Sequence, residues 1–513
     1  MESIWMKDYV DKNLPAIAKN IDTPVLIIGG GLAGLMCAYN FMKNGIEFIL
    51  VDSKKLASGV SASTTAQVSI AHDKLYDDIM KKHGKDKATA YLNSQAHGLN
   101  IIKQIIKDEN IECDYKEEST ILHADEEKNI KTLKTQYDIV KKYAKLINTK
   151  KDIIKFKQGL EFKNQFIFNP MKYMMSIIDI LINNKISLFK NSRVTKINKK
   201  ENNYEVLINN KYKIYTNKII MACHYPFLNP DNLYFAKIYQ SKSYVVAFES
   251  KVKLNANYVS LDKPYYYLRT YDDSTLIIGG SDHFTGLDID ISKCYKTLTD
   301  KIYELDKDAK ILYKWFTEDC MPIDSLPFVG NYSNNNPNII LVTGFQKWGF
   351  TNAHVAAENV TNMLTHKQYD NLYKTKRYTL IKDLKSTFRM IVHSVDGLLI
   401  SKLFLKNYEL SKIKIDSGKV MRFKNTNVLV YRESKNKYIF LKNKCTHMGC
   451  SLIWNDVDKV WESKCHGSIF DKYGHAIYGP AFKDLEKIIQ SFLHVYSGHF
   501  RIRIRYPDDI ADK

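Results

Sequence analysis

Pro24-Val-Leu-Ile-Ile28-Gly29-Gly30-Gly31-Leu-Ala-Gly34 opens the unit that decides how the first two thirds of this chain fold. A short apolar run bounded by glycine reads as a buried parallel strand. Leu35–Asn44 follows as a helix, Phe48-Ile-Leu-Val51 as the next strand, and Asp52 ends it. Gly29 permits the tight turn, Gly31 lets the backbone approach a pyrophosphate, and Gly34 lets the helix pack on the strand. The helix N-terminus offers free N–H groups and a positive dipole end to the phosphates. Asp52, eighteen residues past Gly34, is placed to bond a ribose hydroxyl. A lone glycine pattern is weak evidence, and its competing reading is a glycine-rich turn without a ligand. Strand, helix, second strand and terminal acid together predict a dinucleotide site.

Further along, Asp324-Ser-Leu-Pro-Phe-Val-Gly330 leads to Asn338-Ile-Ile-Leu-Val-Thr-Gly344-Phe-Gln-Lys-Trp348-Gly349-Phe-Thr351 and a helix from about Asn352. A late strand, glycine turn and helix N-terminus suit closure over a flavin ring, which favours FAD over NAD. Lys218-Ile-Ile-Met-Ala222 with Cys223-His224 resembles the Ala-Thr-Gly strand end of flavoproteins. Residues 74–145 read as helical. Residues 161–222 alternate and hold Arg193-Val194, and residues 240–282 hold aromatic-rich strands. Tyr265, Tyr267 and Arg269 share one strand face by period two. Arg269 there is a candidate bidentate clamp for a substrate carboxylate, against the alternative of a structural arginine. His224 and His283 follow strand ends, as general bases or as turn residues. Trp348 is expected beside the flavin, or in ordinary core packing.

The chain has 513 residues, 45% hydrophobic and 12% aromatic, so two or three globular domains are expected. The formal charge is +20, with 28 Lys/Arg against 15 Asp/Glu in residues 366–513. A Lys-rich solvated surface explains that excess without a nucleic-acid partner. Eight scattered cysteines, clustered only at 445, 450 and 465, do not form a secreted disulfide scaffold. The charged N-terminal residues give no signal-peptide pattern. The apolar run Val25–Met42 is broken by its glycines. A cytoplasmic protein without a transmembrane segment is therefore expected.

Cys445-Thr-His447-Met-Gly-Cys450 and Ser463-Lys-Cys465-His466-Gly-Ser468 resemble the two ligand loops of a Rieske iron–sulfur domain, which holds one iron by two cysteines and the other by two histidines. Short alternating segments from Lys412 fit small antiparallel sheets, and Gly479-Pro-Ala481 matches the covering proline loop. Residues 1–365 resemble FAD-dependent oxidoreductases of the D-amino-acid oxidase type, which includes glycine and sarcosine oxidases. The resemblance rests on Ser61-Ala-Ser-Thr64-Thr65-Ala66 with His72, His224-Tyr-Pro226, Tyr267-Leu-Arg269-Thr270, Gly279-Gly280 with His283, and Lys347-Trp348-Gly349-Phe-Thr351. The whole chain resembles a bacterial family fusing that oxidoreductase to a C-terminal Rieske domain.

The implied fold is α/β: an FAD-binding Rossmann-like domain with an inserted antiparallel-sheet substrate domain, plus a C-terminal all-β Rieske domain. Residues 1–365 form the oxidoreductase, with FAD-binding parts at about 1–76, 161–222 and 324–365 and substrate or helical parts at about 77–160 and 223–323. Residues 366–410 form a basic connector and 411–513 the Rieske domain. From Lys367 to Lys406 the connector has nine Lys/Arg against three Asp. Its partly amphipathic Ile391–Leu405 is expected to pack across the two domains rather than touch a membrane. The candidate FAD set is Gly29, Gly31, Gly34, Asp52, Thr64, Thr65, Val194, Gly344, Trp348, Gly349 and Thr351. The candidate catalytic set is Arg269, His224, His283 and Trp348.

The resemblance assigns Cys445 to one iron, His447 and His466 to the other, and Cys450–Cys465 to a disulfide. Ser463 stands where the fourth ligand, a cysteine, belongs. Three readings stay open: the [2Fe-2S] cluster is lost, Ser463 ligates a weakened cluster, or Cys465 gives up the disulfide and ligates. Phe470 lacks the tyrosine hydroxyl that bonds a cysteine sulfur in high-potential relatives, whereas Ser468 keeps its own. The expected function is oxidation of a small amine or amino acid. Electrons would pass to the Rieske centre or, if the cluster is lost, to another acceptor or dioxygen, with a redox partner protein as a candidate. The alternatives are an FAD-dependent RNA-modifying enzyme and a non-catalytic electron-transfer adaptor.

Overall fold

A computed structural model of the chain describes residues 2–148, 153–201, 203–228, 231–377, 379–403, 405–423 and 426–492. It divides into two compact units. The first comprises Met1–Ile238, Lys242–Asp282 and Lys293–Asp383. The second comprises Tyr239–Ser241, His283–Ser292 and the chain from Leu384 onward.

The first unit is built on an eight-stranded sheet. Its central Ile21–Ile28 strand runs parallel to Tyr212–Met221 on one side and to Ile49–Val51 on the other. Ser187–Phe189 extends the sheet in parallel beyond Ile49–Val51, and Ile339–Thr343 does so beyond Tyr212–Met221. Strands buried on both faces need unbroken apolar runs, and Leu26, Ile27, Ile219 and Ile220 are fully buried. The Leu32–Lys43 helix follows the first strand directly, and the late Gly349–Leu364 helix packs against it. Both late elements expected from the sequence are thus in place.

A second, nine-stranded sheet includes Lys116–Ala124, Gln158–Ile167, Asn257–Ser260, Tyr266–Thr270, Thr275–Phe284 and Lys310–Pro322. It is antiparallel at most recorded pairings; Asn257–Ser260 runs parallel to Lys116–Ala124. One expectation fails here. Residues 74–145 are not helical throughout: Lys116–Ala124 is a strand between the Lys85–Asp108 and Glu127–Val140 helices. Its charged, exposed start, Lys116-Glu117, hides the period-two signal, and only Thr120–Ala124 is continuously buried.

The second unit carries two four-stranded antiparallel sheets. One is formed by Ser417–Phe423, Thr426–Ser434, Lys437–Lys442 and Lys487–Phe492. The other is formed by Leu452–Asn455, Val460–Ser463, Ile469–Asp471 and Ala476–Tyr478. Leu429, Leu441, Trp461 and Phe470 fill its core.

Candidate functional site

The glycines after the first strand divide by what surrounds them. A Cβ on Gly29 would lie 2.5 Å from the Ala222 carbonyl oxygen, and one on Gly34 would lie 1.8 Å from that of Gly29. These two serve close backbone packing. A Cβ on Gly31 would meet only Ser61 Oγ, at 3.3 Å. That open position caps the Leu32–Lys43 helix, whose Leu32 N–H donates to Ser61 Oγ at 3.0 Å. Asp52 accepts from Gly30 N and Lys54 N, each at 2.7 Å. Burial lifts its pKa, against the pull of those two hydrogen bonds.

A second open helix start lies at Gly349, where a Cβ would meet nothing within 4 Å. Gln346 and Lys347 before it have φ of 50° and 69°, a tight left-handed approach. The Trp348 indole N–H and the Gln346 side-chain amide nitrogen are buried without a partner among the described residues. His72 stacks on Trp348 with ring centroids 4.3 Å apart, and Tyr267 meets Trp348 edge-on at 6.0 Å. Burial pushes His72 down to about 3, so the ring is neutral.

Beside Trp348 lies a polar group that the sequence reading did not assemble. Lys347 ion-pairs with Asp282, and its ammonium sits 5.8 Å from the Tyr267 ring. Tyr267 Oη donates to Asp73 Oδ2 at 3.2 Å. Burial works against the Lys347 charge, yet Asp282 and Asp319 hold its pKa above the ordinary value. Burial lifts Asp319 to about 6, with Lys347 offsetting part of the rise. Asp282 Oδ1 is buried and has no hydrogen-bond partner among the described residues.

The other candidates fall as follows. Arg269 is fully buried and is not free to clamp a carboxylate. Its Nε donates to Thr270 O at 2.7 Å, and its Nη1 donates to Ala66 O at 2.5 Å and Thr65 O at 3.2 Å. Four peptide carbonyls within reach, Phe168 among them, give this cation a structural task. Thr65 Cγ2 packs where Gly279 lacks a side chain, and Thr64 Oγ1 accepts from Ala66 N. Gly344 is required by Pro322, which a Cβ would meet at 2.5 Å. Val194 is a buried core residue at a strand start, and Thr351 is buried in the late helix. His224 turns the chain at φ 68°, and its carbonyl accepts from Thr343 Oγ1. His283 belongs to the second unit, where its Nδ1 lies 2.7 Å from Phe284 O.

In the second unit, Cys450 and Cys465 are joined by a disulfide with Cα atoms 6.1 Å apart. The loops it ties are closed by Cys445 N to Cys450 O at 2.8 Å and Ser463 N to Ser468 O at 2.8 Å. The His447 and His466 rings face each other edge to face, with centroids 5.1 Å apart. Burial lowers His447 to about 4. Burial and the neighbouring His447 lower His466 to about 3. Both are neutral imidazoles, the form that binds metal. Ser463 is 1% exposed and Cys445 3%. Ser468 Oγ accepts from Ala481 N at 2.9 Å, which pins the proline loop.

Residues 24–363 match the DAO family, FAD dependent oxidoreductase. The chain belongs to that family. Residues 406–492 match the Rieske [2Fe-2S] domain. A Bacillus subtilis protein, YhfW, described as a Rieske 2Fe-2S iron-sulfur protein, is 29% identical over 500 residues, covering 95% of this chain and 97% of its own. Gamma-glutamylputrescine oxidoreductase of Escherichia coli is 22% identical, covering 67% of this chain and 84% of its own. Glycine oxidase from Geobacillus kaustophilus shares the fold, with a TM-score of 0.58 at 12% identity over 70% of this chain and 99% of its own.

The family pairing implies FAD and a [2Fe-2S] cluster. The first unit fits FAD: two helix starts lack a Cβ, Asp52 ends the second strand, and the buried donors of Trp348 and Gln346 await an acceptor. The second unit does not supply a complete donor set. Cys445, His447 and His466 are ligand-type residues, but Ser463 carries a neutral hydroxyl. Cys450, Cys465 and His466 bring donor atoms within 4.8 Å of one another, yet the two sulfurs are bonded together and are not thiolates. Lys347 stood in a quoted motif without a role, and Asp282, Asp319 and Asp73 carried no local signal. The fold alone gathers them.

Proposed function

We propose that this oxidoreductase oxidises a small amine at the carbon bearing nitrogen. The observation that carries the reading is the partnerless buried Asp282 Oδ1 within the Lys347–Asp282–Asp319 group beside Trp348. An ammonium group would supply the missing donor. Asp282, Asp319 and Asp73 all act on Lys347, and acids outnumber lysines here even with Lys74 beside Asp73, so the site attracts cations. Arg269 is already occupied by backbone carbonyls, which disfavours a free amino acid whose carboxylate needs its own clamp.

Bound FAD supplies a two-electron acceptor for the hydride. The chain's own residues prepare the substrate. Asp282 orients the ammonium, and Lys347 holds the two carboxylates in place. Asp319, lifted to about 6, takes the proton the ammonium must lose before its carbon can give up a hydride. Trp348, His72 and Tyr267 form an aromatic wall that excludes water. We assign Gly31 and Asp52 to the dinucleotide and the Gly349 helix start to the flavin ring. Because Ser463 leaves the second unit's donor set incomplete, we assign the electrons to an acceptor outside that unit or to dioxygen.

The test is anaerobic mixing of the yellow protein with matched pairs: primary and secondary amines, and the same amines bearing an α-carboxylate. Flavin bleaching by the amines supports the reading. Bleaching by the carboxylated partners alone sinks it.

A further inference from the structure

We propose that the helix leading into the second unit lies flat on an anionic lipid surface. Leu384–Val395 continues through a π-helical turn, Asp396–Ile400, into Ser401–Leu403. One side is fixed. Met390 and Gly397 are buried, and Leu398 packs on the core of the unit. A Cβ on Gly397 would lie 2.6 Å from Cys465 Sγ, so the helix backbone rests on the disulfide. The Gly397 carbonyl accepts from Ser451 N at 2.8 Å and Ser451 Oγ at 3.0 Å, and Lys402 Nζ donates to Gly449 O at 2.6 Å. The helix therefore cannot roll its outer face inward.

That outer face is apolar. Leu384 is 69% exposed, Phe388 68%, Ile391 55%, Val395 44% and Leu399 62%. Their spacing, at i, i+4, i+7, i+11 and i+15, puts them in one stripe.

Charge selects the occupant. The acids of the helix and its approach are neutralised, Asp383 by Lys82 at 3.1 Å and Asp396 by Lys464 at 2.7 Å. Along the sequence the helix carries a cationic border, Lys382, Lys385, Arg389 and Lys406, of which Arg389 stacks on Phe284 at 4.2 Å. A second copy would bring the same border against it, in a chain of formal charge +20. An anionic lipid interface offers both an apolar layer and the opposite charge. No described helix is long and apolar enough to cross a membrane, so this one would lie on the surface.

The test is vesicle flotation of the full chain, with phosphatidylcholine alone and with phosphatidylglycerol added. Binding should need phosphatidylglycerol and weaken with salt. The variant Phe388→Gln/Ile391→Gln/Leu399→Gln, which touches only exposed side chains, should lose partitioning by more than about tenfold. Its flavin content and melting temperature should stay unchanged. Lys385→Gln/Lys406→Gln should lose the preference for phosphatidylglycerol. Absence of binding to either vesicle overturns the proposal. So does a dimer in solution that the triple variant dissociates, which would make a second copy the occupant.

Discussion

Replacing Ser463 by cysteine should turn an iron-poor second unit into one that holds a cluster. A serine hydroxyl is a far weaker acid than a cysteine thiol, whose free pKa is about 8.5. Each pKa unit of that gap is worth about 1.4 kcal/mol, so the serine starts several kcal/mol behind a cysteine as an anionic ligand, before metal lowers either value. The remaining site needs no rebuilding. The main chain at Ser463 is fixed, since Gly286 packs so closely that its missing Cβ would lie 2.3 Å from the Ser463 carbonyl oxygen. The disulfide holds both loops, and both histidines are neutral. The assay is iron and acid-labile sulfide per chain, with electron paramagnetic resonance of the reduced protein. The unmodified chain should contain little of either, and Ser463→Cys about two irons and two sulfides with a Rieske-type signal. Near-stoichiometric iron in the unmodified chain would refute the reasoning and make Ser463 or Cys465 the fourth ligand. An iron-free Ser463→Cys variant would refute it from the other side, showing that the loops are not competent.

The two fingerprint glycines should fail differently. Gly34→Ala puts a Cβ 1.8 Å from the Gly29 oxygen and should cost about 1–3 kcal/mol, seen as a lower melting temperature. Gly31→Val should purify folded but colourless; full flavin content in that variant would remove Gly31 from the cofactor site. Arg269→Ala should destabilise by about 3 kcal/mol or more and act through folding, because it strands backbone carbonyls in the core. A stable Arg269→Ala protein with raised KM alone would restore the clamp reading. Asp319 is protonated more readily folded than unfolded, so its contribution to stability falls as pH rises from its ordinary 3.8 to about 6. Asp319→Asn should therefore raise the melting temperature at neutral pH. It should also abolish the rise of kcat/KM with an apparent pKa of about 6, and an unchanged pH profile would exclude Asp319 as the proton acceptor.

What the sequence made legible was local. The fingerprint from Pro24 to Asp52 needs only neighbouring residues to be read, and so does the Gly344–Thr351 turn into its helix. The Cys450–Cys465 pairing, implied by resemblance, is present as a disulfide. Period two put Tyr267 and Arg269 on one strand face, but periodicity does not say which carbonyls wait at the end of a long side chain. Arg269 reaches Thr65, Ala66 and Phe168, some hundred and two hundred positions away. The Lys347–Asp282–Asp319 group was invisible for the same reason, since it is assembled from three separated segments. Lys116–Ala124 was missed because its exposed charges obscured its buried half.

Arg269 and Ser463 bear on one another. An oxidoreductase of this type needs a substrate anchor and an exit for electrons, and in this chain the anchor candidate read from its strand face, Arg269, and the ligand position that the resemblance gives to cysteine, Ser463, are both diverted. Arg269 is bound to backbone carbonyls, and Ser463 denies the cluster its second thiolate, the fourth ligand. Yet the second unit keeps its disulfide, its neutral histidine pair and its pinned proline loop. Gly397 has no side chain where the helix meets that disulfide, so helix and loops pack as one body. The retained feature is the junction of loops and helix, and the helix presents an apolar stripe outward. With the electrons leaving the flavin unit directly, as proposed, the second unit would serve as a rigid mount for that helix.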